Sequence, residues 1–201
     1  MRGLARVCGA ACLGLYRLIV RARAKAFSLA ISGAFDSFGR RTVIELPVRL
    51  HGERRIALGS DVFVGAGSWL QALGDGRLNV GDGTSIAGGC ILSAASSVRL
   101  GRKVLVARNV YVSDHIHAYV DTERAVLEQG LTHLDAVDIG DGAWLGENVV
   151  VCPGVRIGRG AVIGANAVVR EDVPDHALAV GIPAHVVSRF APLPAAAGAR
   201  N

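Results

Sequence analysis

The sequence predicts a mainly β fold, a left-handed parallel β-helix of hexapeptide repeats that carries an N-terminal helical extension. Three observations predict it. An aliphatic residue recurs at every sixth position from Leu58 onward, glycine or another small residue usually follows it, and the apolar content comes almost entirely from small and branched side chains. Of the 201 residues 51% are hydrophobic, 19% charged and only 5% aromatic, with 26 glycines. That balance excludes a disordered chain and supports a buried core built without rings.

The period is clearest in Ile139, Leu145, Val151, Ile157, Ile163 and Val169, where Gly140, Gly146, Gly158 and Gly164 follow four of the six. Four residues after each aliphatic stands Ala143, Val149, Val155, Ala161, Ala167 or Val173. Shorter runs share the period: Leu58, Val64 and Leu70; Val80, Ile86 and Leu92; Leu100, Val106 and Val112. The phase resets around Gly74–Arg77 and Ser96–Arg99, where short insertions fall. A hexapeptide period marks a β-helix, in which three short strands make a triangular coil and coils stack to share one continuous core. The aliphatic residue points inward and the small one fits the corner, where glycine also tolerates positive φ.

The remaining segments follow from breaks in this pattern. Residues 1–45 read as a basic amphipathic helix with a lead-in, and 46–190 as the β-helix. Residues 118–136 lose the period and form a loop pushed out of a coil. Residues 191–201, rich in Ala and Pro, form a disordered tail.

The net charge is +5, concentrated near the start in Arg2, Arg6, Arg17, Arg21, Arg23 and Lys25. Arg17 breaks the apolar run from Val7 to Tyr16, which is too short to cross a bilayer. The helix is expected either to lie on a membrane surface or to pack on its own domain or a neighbouring subunit. Nucleic acid is excluded as a partner because no aromatic residues interleave with the cations. Cys8, Cys12, Cys90 and Cys152 form no CxxC pair or His/Cys cluster, so no metal is expected and the thiols are free.

Residues 56–187 resemble the hexapeptide-repeat acyltransferases, in the branch of maltose, galactoside and polysaccharide O-acetyltransferases. The segments VYVSDHIHAYVDTER, IGDGAWLGENVVVCPGVRIGRGAVIGANAVV and AVGIPAHVV carry the resemblance. It implies a homotrimer that binds acetyl-CoA between subunits and a catalytic histidine where the repeat meets the extruded loop. His115 and His117 are the candidates. Hexapeptide register, counted from the inward Val112, favours His117, as does Arg124 seven residues further on. Matching the Asp114–His115 pair to the family's Gly–His or Thr–His pair favours His115, but register is the stronger guide, because an insertion here would change the coil geometry, and His117 is the expected base. Imidazole, with an ordinary pKa near about 6.5, can take the proton of an attacking hydroxyl and return it to the leaving thiolate. Asp114 or a carbonyl would fix the tautomer, and His115 would assist or orient the acceptor.

The resemblance also implies the cofactor side. Trp144 borders the cleft, Gly146, Glu147 and Ala165 meet the pantetheine arm, and Arg170 meets a CoA phosphate. Arg170–Glu171 replaces the family's usual Thr–Lys, and His185 stands where Arg or Lys is usual. The acceptor-binding Asn and Asp of the galactoside branch have no counterpart around Ala87–Ala95. The expected function is acetyl-CoA-dependent O-acetylation of a sugar hydroxyl on a cell-surface polysaccharide or its precursor. The expected location is cytoplasmic, or peripheral at the inner face of the membrane. The alternatives are N-acylation of an amino sugar or amino acid, and a non-catalytic β-helix scaffold.

Overall fold

A computed structural model describes residues 2–191; the tail expected to be disordered lies almost wholly outside them. The architecture is a solenoid of parallel strands headed by one long helix, Arg2–Ile31. Strands fall in rotation onto three sheets that form the faces of a triangular prism. The first face runs from Ser37–Phe38 through Ser97–Leu100 to Arg156–Ile157, and the second from Val43–Ile44 through Leu105–Val106 to Val162–Ile163. The third runs from Arg49–His51 through Tyr111–Ser113 to Val168–Val169. The first coil thus starts at Ser37, inside the segment expected to be lead-in.

The inward aliphatics form the core as the period requires. Ile139, Leu145, Val151, Ile157 and Ile163 are fully buried, and the largest fully buried side chains throughout are only Ile and Leu. Burying each contributes about 1.5–3 kcal/mol. Coil-to-coil hydrogen bonds such as Trp144 N–H to Ala161 O and Gly146 N–H to Ile163 O, both 2.8 Å, tie successive turns.

The small residue after each aliphatic has a different cause from the one expected. A Cβ on Gly146 would lie 2.6 Å from Ala165 N in the next coil, so that position is small because backbone stacks directly upon it. The positive-φ position comes two residues later, at Gly142, Asn148, Gly154, Gly160 and Asn166. Stacking, rather than left-handed backbone, therefore sets the glycine of the motif.

Both ends of the solenoid are covered. At the start, Ala24 and Ser28 of the helix are buried against the first coil. Ser28 Oγ accepts the Ile44 N–H at 2.8 Å and donates to Ala24 O at 2.7 Å, which fixes the helix to the second face. At the far end, His185–Arg189 folds back antiparallel on Ala177–Val180.

Candidate active site

The irregular segment begins where the third-face strand Tyr111–Ser113 ends. Ile116–His117 pairs antiparallel with Leu131–Thr132, so the excursion is a hairpin whose stem starts at Ile116, two residues before the expected loop. Its neck closes through Asp135 N–H to Asp114 O at 2.9 Å and Gly154 N–H to Asp135 O at 2.9 Å. Within the loop Gln129 Nε2 donates to Asp121 O and Arg124 O, and Arg124 donates to Glu128 O.

Asp114 and His115 sit at this junction, both buried. The Asp114 carboxylate accepts Ala95 N–H through Oδ1 and Ser96 N–H through Oδ2, each at 2.8 Å. Its Oδ1 also lies 2.7 Å from His115 Nδ1. Two backbone donors from the preceding coil thus hold the carboxylate, and the carboxylate places the imidazole proton on Nδ1. That leaves Nε2 as the free lone pair. Ser113 Oγ donates to His115 O at 2.8 Å and accepts His115 N–H at 3.3 Å, which fixes the backbone below the ring. Ser93 Oγ stands 3.5 Å from Nε2 and accepts Gln71 Nε2 at 2.6 Å.

The structure therefore separates the two histidines. His115 is oriented by a buried acid, whereas His117 is exposed on the hairpin stem, opposite Leu131, with no side-chain hydrogen bond among the described residues. The register count that favoured His117 assumes that the coil continues past Ser113, but the chain leaves the coil at Asp114. Arg124 hydrogen-bonds its own loop.

Trp144, Gly146, Glu147 and Ala165 come together at the corner between the second and third faces. Trp144 is exposed between Leu105 and Val162 of the neighbouring coils, Gly146 is buried, and Glu147 and Ala165 are exposed. Asn166 N–H donates to Glu147 O at 2.8 Å, linking the two coils there. Arg170 lies apart from them, exposed at the corner between the third and first faces, as does the Asp114–His115 pair. Within one chain the two sets occupy opposite edges of the third face.

Sequence reasoning missed Ser93 and Gln71, and an asparagine ladder on the Trp144 corner. Asn109 Nδ2 donates to Asn148 Oδ1 at 3.3 Å, and Asn148 Nδ2 to Asn166 Oδ1 at 3.0 Å. A signal existed for Asn148 and Asn166, which share one position in successive coils. Ser93 and Gln71 needed the exact register across the phase reset. No group of three or more His, Cys, Asp or Glu suited to a metal ion occurs among the described residues.

The model for bacterial transferase hexapeptide (six repeats) matches residues 136–171. Escherichia coli (strain K12) WbbJ, provisionally named a lipopolysaccharide biosynthesis O-acetyl transferase, is 31% identical over 154 residues, 74% of this chain and 79% of its own. The galactoside O-acetyltransferase of the same organism is 35% identical over 91 residues, 45% of this chain and 43% of its own. Among solved structures, the Bacillus cereus N-acyltransferase AntD, with dTDP and 3-hydroxybutyryl-CoA, superimposes with a TM-score of 0.71 at 18% identity, covering 83% of this chain and 88% of its own. A maltose O-acetyltransferase from Clostridium difficile 630 gives 0.59 at 23% identity, covering 87% and 88%. These structural likenesses establish the solenoid.

Proposed function

The chain belongs to the bacterial hexapeptide-repeat acyltransferases, and we propose that within this family it moves an acetyl group from acetyl-CoA to a saccharide hydroxyl with His115 as the base. The buried Asp114–His115 pair at the coil–loop junction carries the reading, because the carboxylate on Nδ1 orients the ring and makes Nε2 the accepting nitrogen of the neutral imidazole. A hydroxyl is a poor nucleophile until its proton is removed, whereas a neutral amine already offers a lone pair. An acid-oriented imidazole is therefore what a hydroxyl acceptor needs.

In the reaction the acceptor hydroxyl gives its proton to Nε2 as its oxygen bonds to the thioester carbonyl carbon. The Asp114 carboxylate stabilises the imidazolium so formed. The tetrahedral adduct then breaks its C–S bond, and Nε2 returns the proton to the departing sulfur, giving an acetyl ester and free CoA. Ser93 Oγ, held by Gln71, stands beside Nε2 where the acceptor hydroxyl must arrive.

The same reading makes the chain a homotrimer. Trp144, Gly146, Glu147 and Ala165 occupy one edge of the third face, and His115 and Arg170 the other. In a threefold assembly the Trp144 corner of one subunit would face the His115 corner of the next and form the cleft between them. The name of WbbJ favours a lipopolysaccharide or related precursor as the acceptor class, and the basic N-terminal helix suits work at the inner face of the membrane. The test is release of free CoA from acetyl-CoA with a panel of saccharides and their amino-sugar analogues. His115→Ala should lose activity by about 10²–10⁴, and His117→Ala should keep most of it. Full activity in His115→Ala, or a clear preference for the amines, would overturn the proposal.

A further inference from the structure

The N-terminal helix has two faces, and the solenoid uses only one. Ala24 and Ser28 mark the packed face, with Phe27 and Ile31 half-buried beside them. At 3.6 residues per turn, Leu15, Leu18 and Ile19 fall on the opposite side. They are 58%, 64% and 55% exposed. Every residue from Gly9 to Ile19 is exposed, so this part of the helix stands clear of the body.

Arg21 and Lys25 flank that apolar stripe on one side and Arg23 flanks it on the other, whereas Arg17 falls on the side of Ala24 and Ser28. Residues 1–35 contain no Asp or Glu at all. No described helix is long and apolar enough to cross a membrane. We propose that this helix lies in the plane of an anionic bilayer, with the Leu15–Leu18–Ile19 stripe among the acyl chains and Arg21, Arg23 and Lys25 on lipid phosphates.

The charge distribution selects a bilayer over a second copy of the chain. A helical seam between copies places acids opposite the cations that flank it. Here the flanks are purely basic, and assembling copies through the stripe would gather these cations with no nearby acid to pair them. At a bilayer the same flanks are favourable, because the long side chains reach outward to the headgroups while their stems cover apolar surface. The solenoid is attached to the far side of the helix through Ser28 and Ile44, so docking need not disturb the fold.

This inference is independent of the acyl-transfer reading, and its test needs no activity. The full chain is sedimented with vesicles of phosphatidylcholine alone and of phosphatidylcholine with phosphatidylglycerol. It should cosediment with the anionic vesicles and release as salt rises. Binding should weaken about fivefold per cation removed in Arg21→Gln, Arg23→Gln and Lys25→Gln, and survive when the two arginines become lysine. The triple variant Leu15→Gln, Leu18→Gln, Ile19→Gln should lose vesicle binding while keeping its helicity and its size in sedimentation velocity. Equal binding to both vesicle types, no binding to either, or a triple variant that falls to a smaller oligomer would overturn the proposal, the last showing that the stripe joins copies.

Discussion

Asp114→Asn separates the structural and chemical duties of one buried carboxylate. Oδ1 receives two donors, Ala95 N–H and His115 Nδ1–H, and Oδ2 receives one, Ser96 N–H. An asparagine that puts its oxygen at the Oδ1 position keeps both contacts there and turns its NH2 toward Ser96 N–H. The flipped amide would confront two donors instead of one, so the first orientation wins. One donor facing a donor costs about 1–3 kcal/mol, roughly 2–12 °C in melting temperature for a chain of this size. The imidazole keeps its tautomer, but the imidazolium loses a charge-assisted hydrogen bond. At about 1–1.5 kcal/mol that predicts a fall in kcat of about five- to tenfold. Asp114→Ala instead strands both backbone N–H groups, about 2–6 kcal/mol in all, a large share of a typical total of about 5–15. Thermal melting and initial rates of CoA release on purified protein measure both effects. The reasoning fails if Asp114→Asn leaves kcat and melting unchanged, or if His117→Ala is more damaging than His115→Ala.

Three further outcomes follow from other parts of the molecule. Gly146→Ala should lower stability by about 1–3 kcal/mol or more, because its Cβ would meet Ala165 N at 2.6 Å; an unchanged melting temperature would refute the stacking explanation for that position. Ser28→Ala should cost about 1–3 kcal/mol by orphaning the buried Ile44 N–H, and limited proteolysis should then release the helix sooner than from the parent chain. Among the described thiols Cys12 is exposed, while burial pushes the Cys90 thiol up, and pushes Cys152 up despite the nearby Arg170. Alkylation at neutral pH followed by peptide mapping should therefore mark Cys12 well before Cys152, with Cys90 last.

The solenoid was legible because its cause is local and repeated. Each inward position, such as Leu145 or Ile163, obeys the same requirement, so the pattern reinforces itself along the chain. The site was only half legible for the opposite reason. Asp114 and His115 are visible as residue types, but the choice between His115 and His117 depends on where the chain leaves the coil. That departure is fixed by the hairpin of Ile116–His117 with Leu131–Thr132, a pairing between segments with no shared period. Ser93 and Gln71 were hidden for a related reason: Gln71 aligns with Ser93 only after the insertion at Gly74–Arg77 is counted, and Ser93 with Ser113 only after that at Ser96–Arg99.

Those irregularities are also what make a buried acid possible. In the regular coils a corner carboxylate takes a single backbone N–H, as Asp141 takes that of Arg102 and Asp175 that of Arg159, while the N–H before it goes to a carbonyl of the adjacent coil, as Gly101 N–H does to Ile139 O. At the phase reset beside Ser96 the strand runs on to Ala94, and Ala95 N–H and Ser96 N–H both go to the Asp114 side chain. One coil later the chain leaves the solenoid at Asp114 itself. Two breaks in the repeat thus lie one above the other: the first supplies donors, the second a carboxylate to use them. Without the first break, Asp114 would be a buried anion with one backbone donor fewer, at a cost of about 1–3 kcal/mol. The insertion at Ser96–Arg99 therefore belongs to the proposed catalytic apparatus as much as His115 does. Restoring the regular period there by deleting two residues should abolish activity and make the Asp114 corner unstable, even though the inward aliphatic pattern would become more regular.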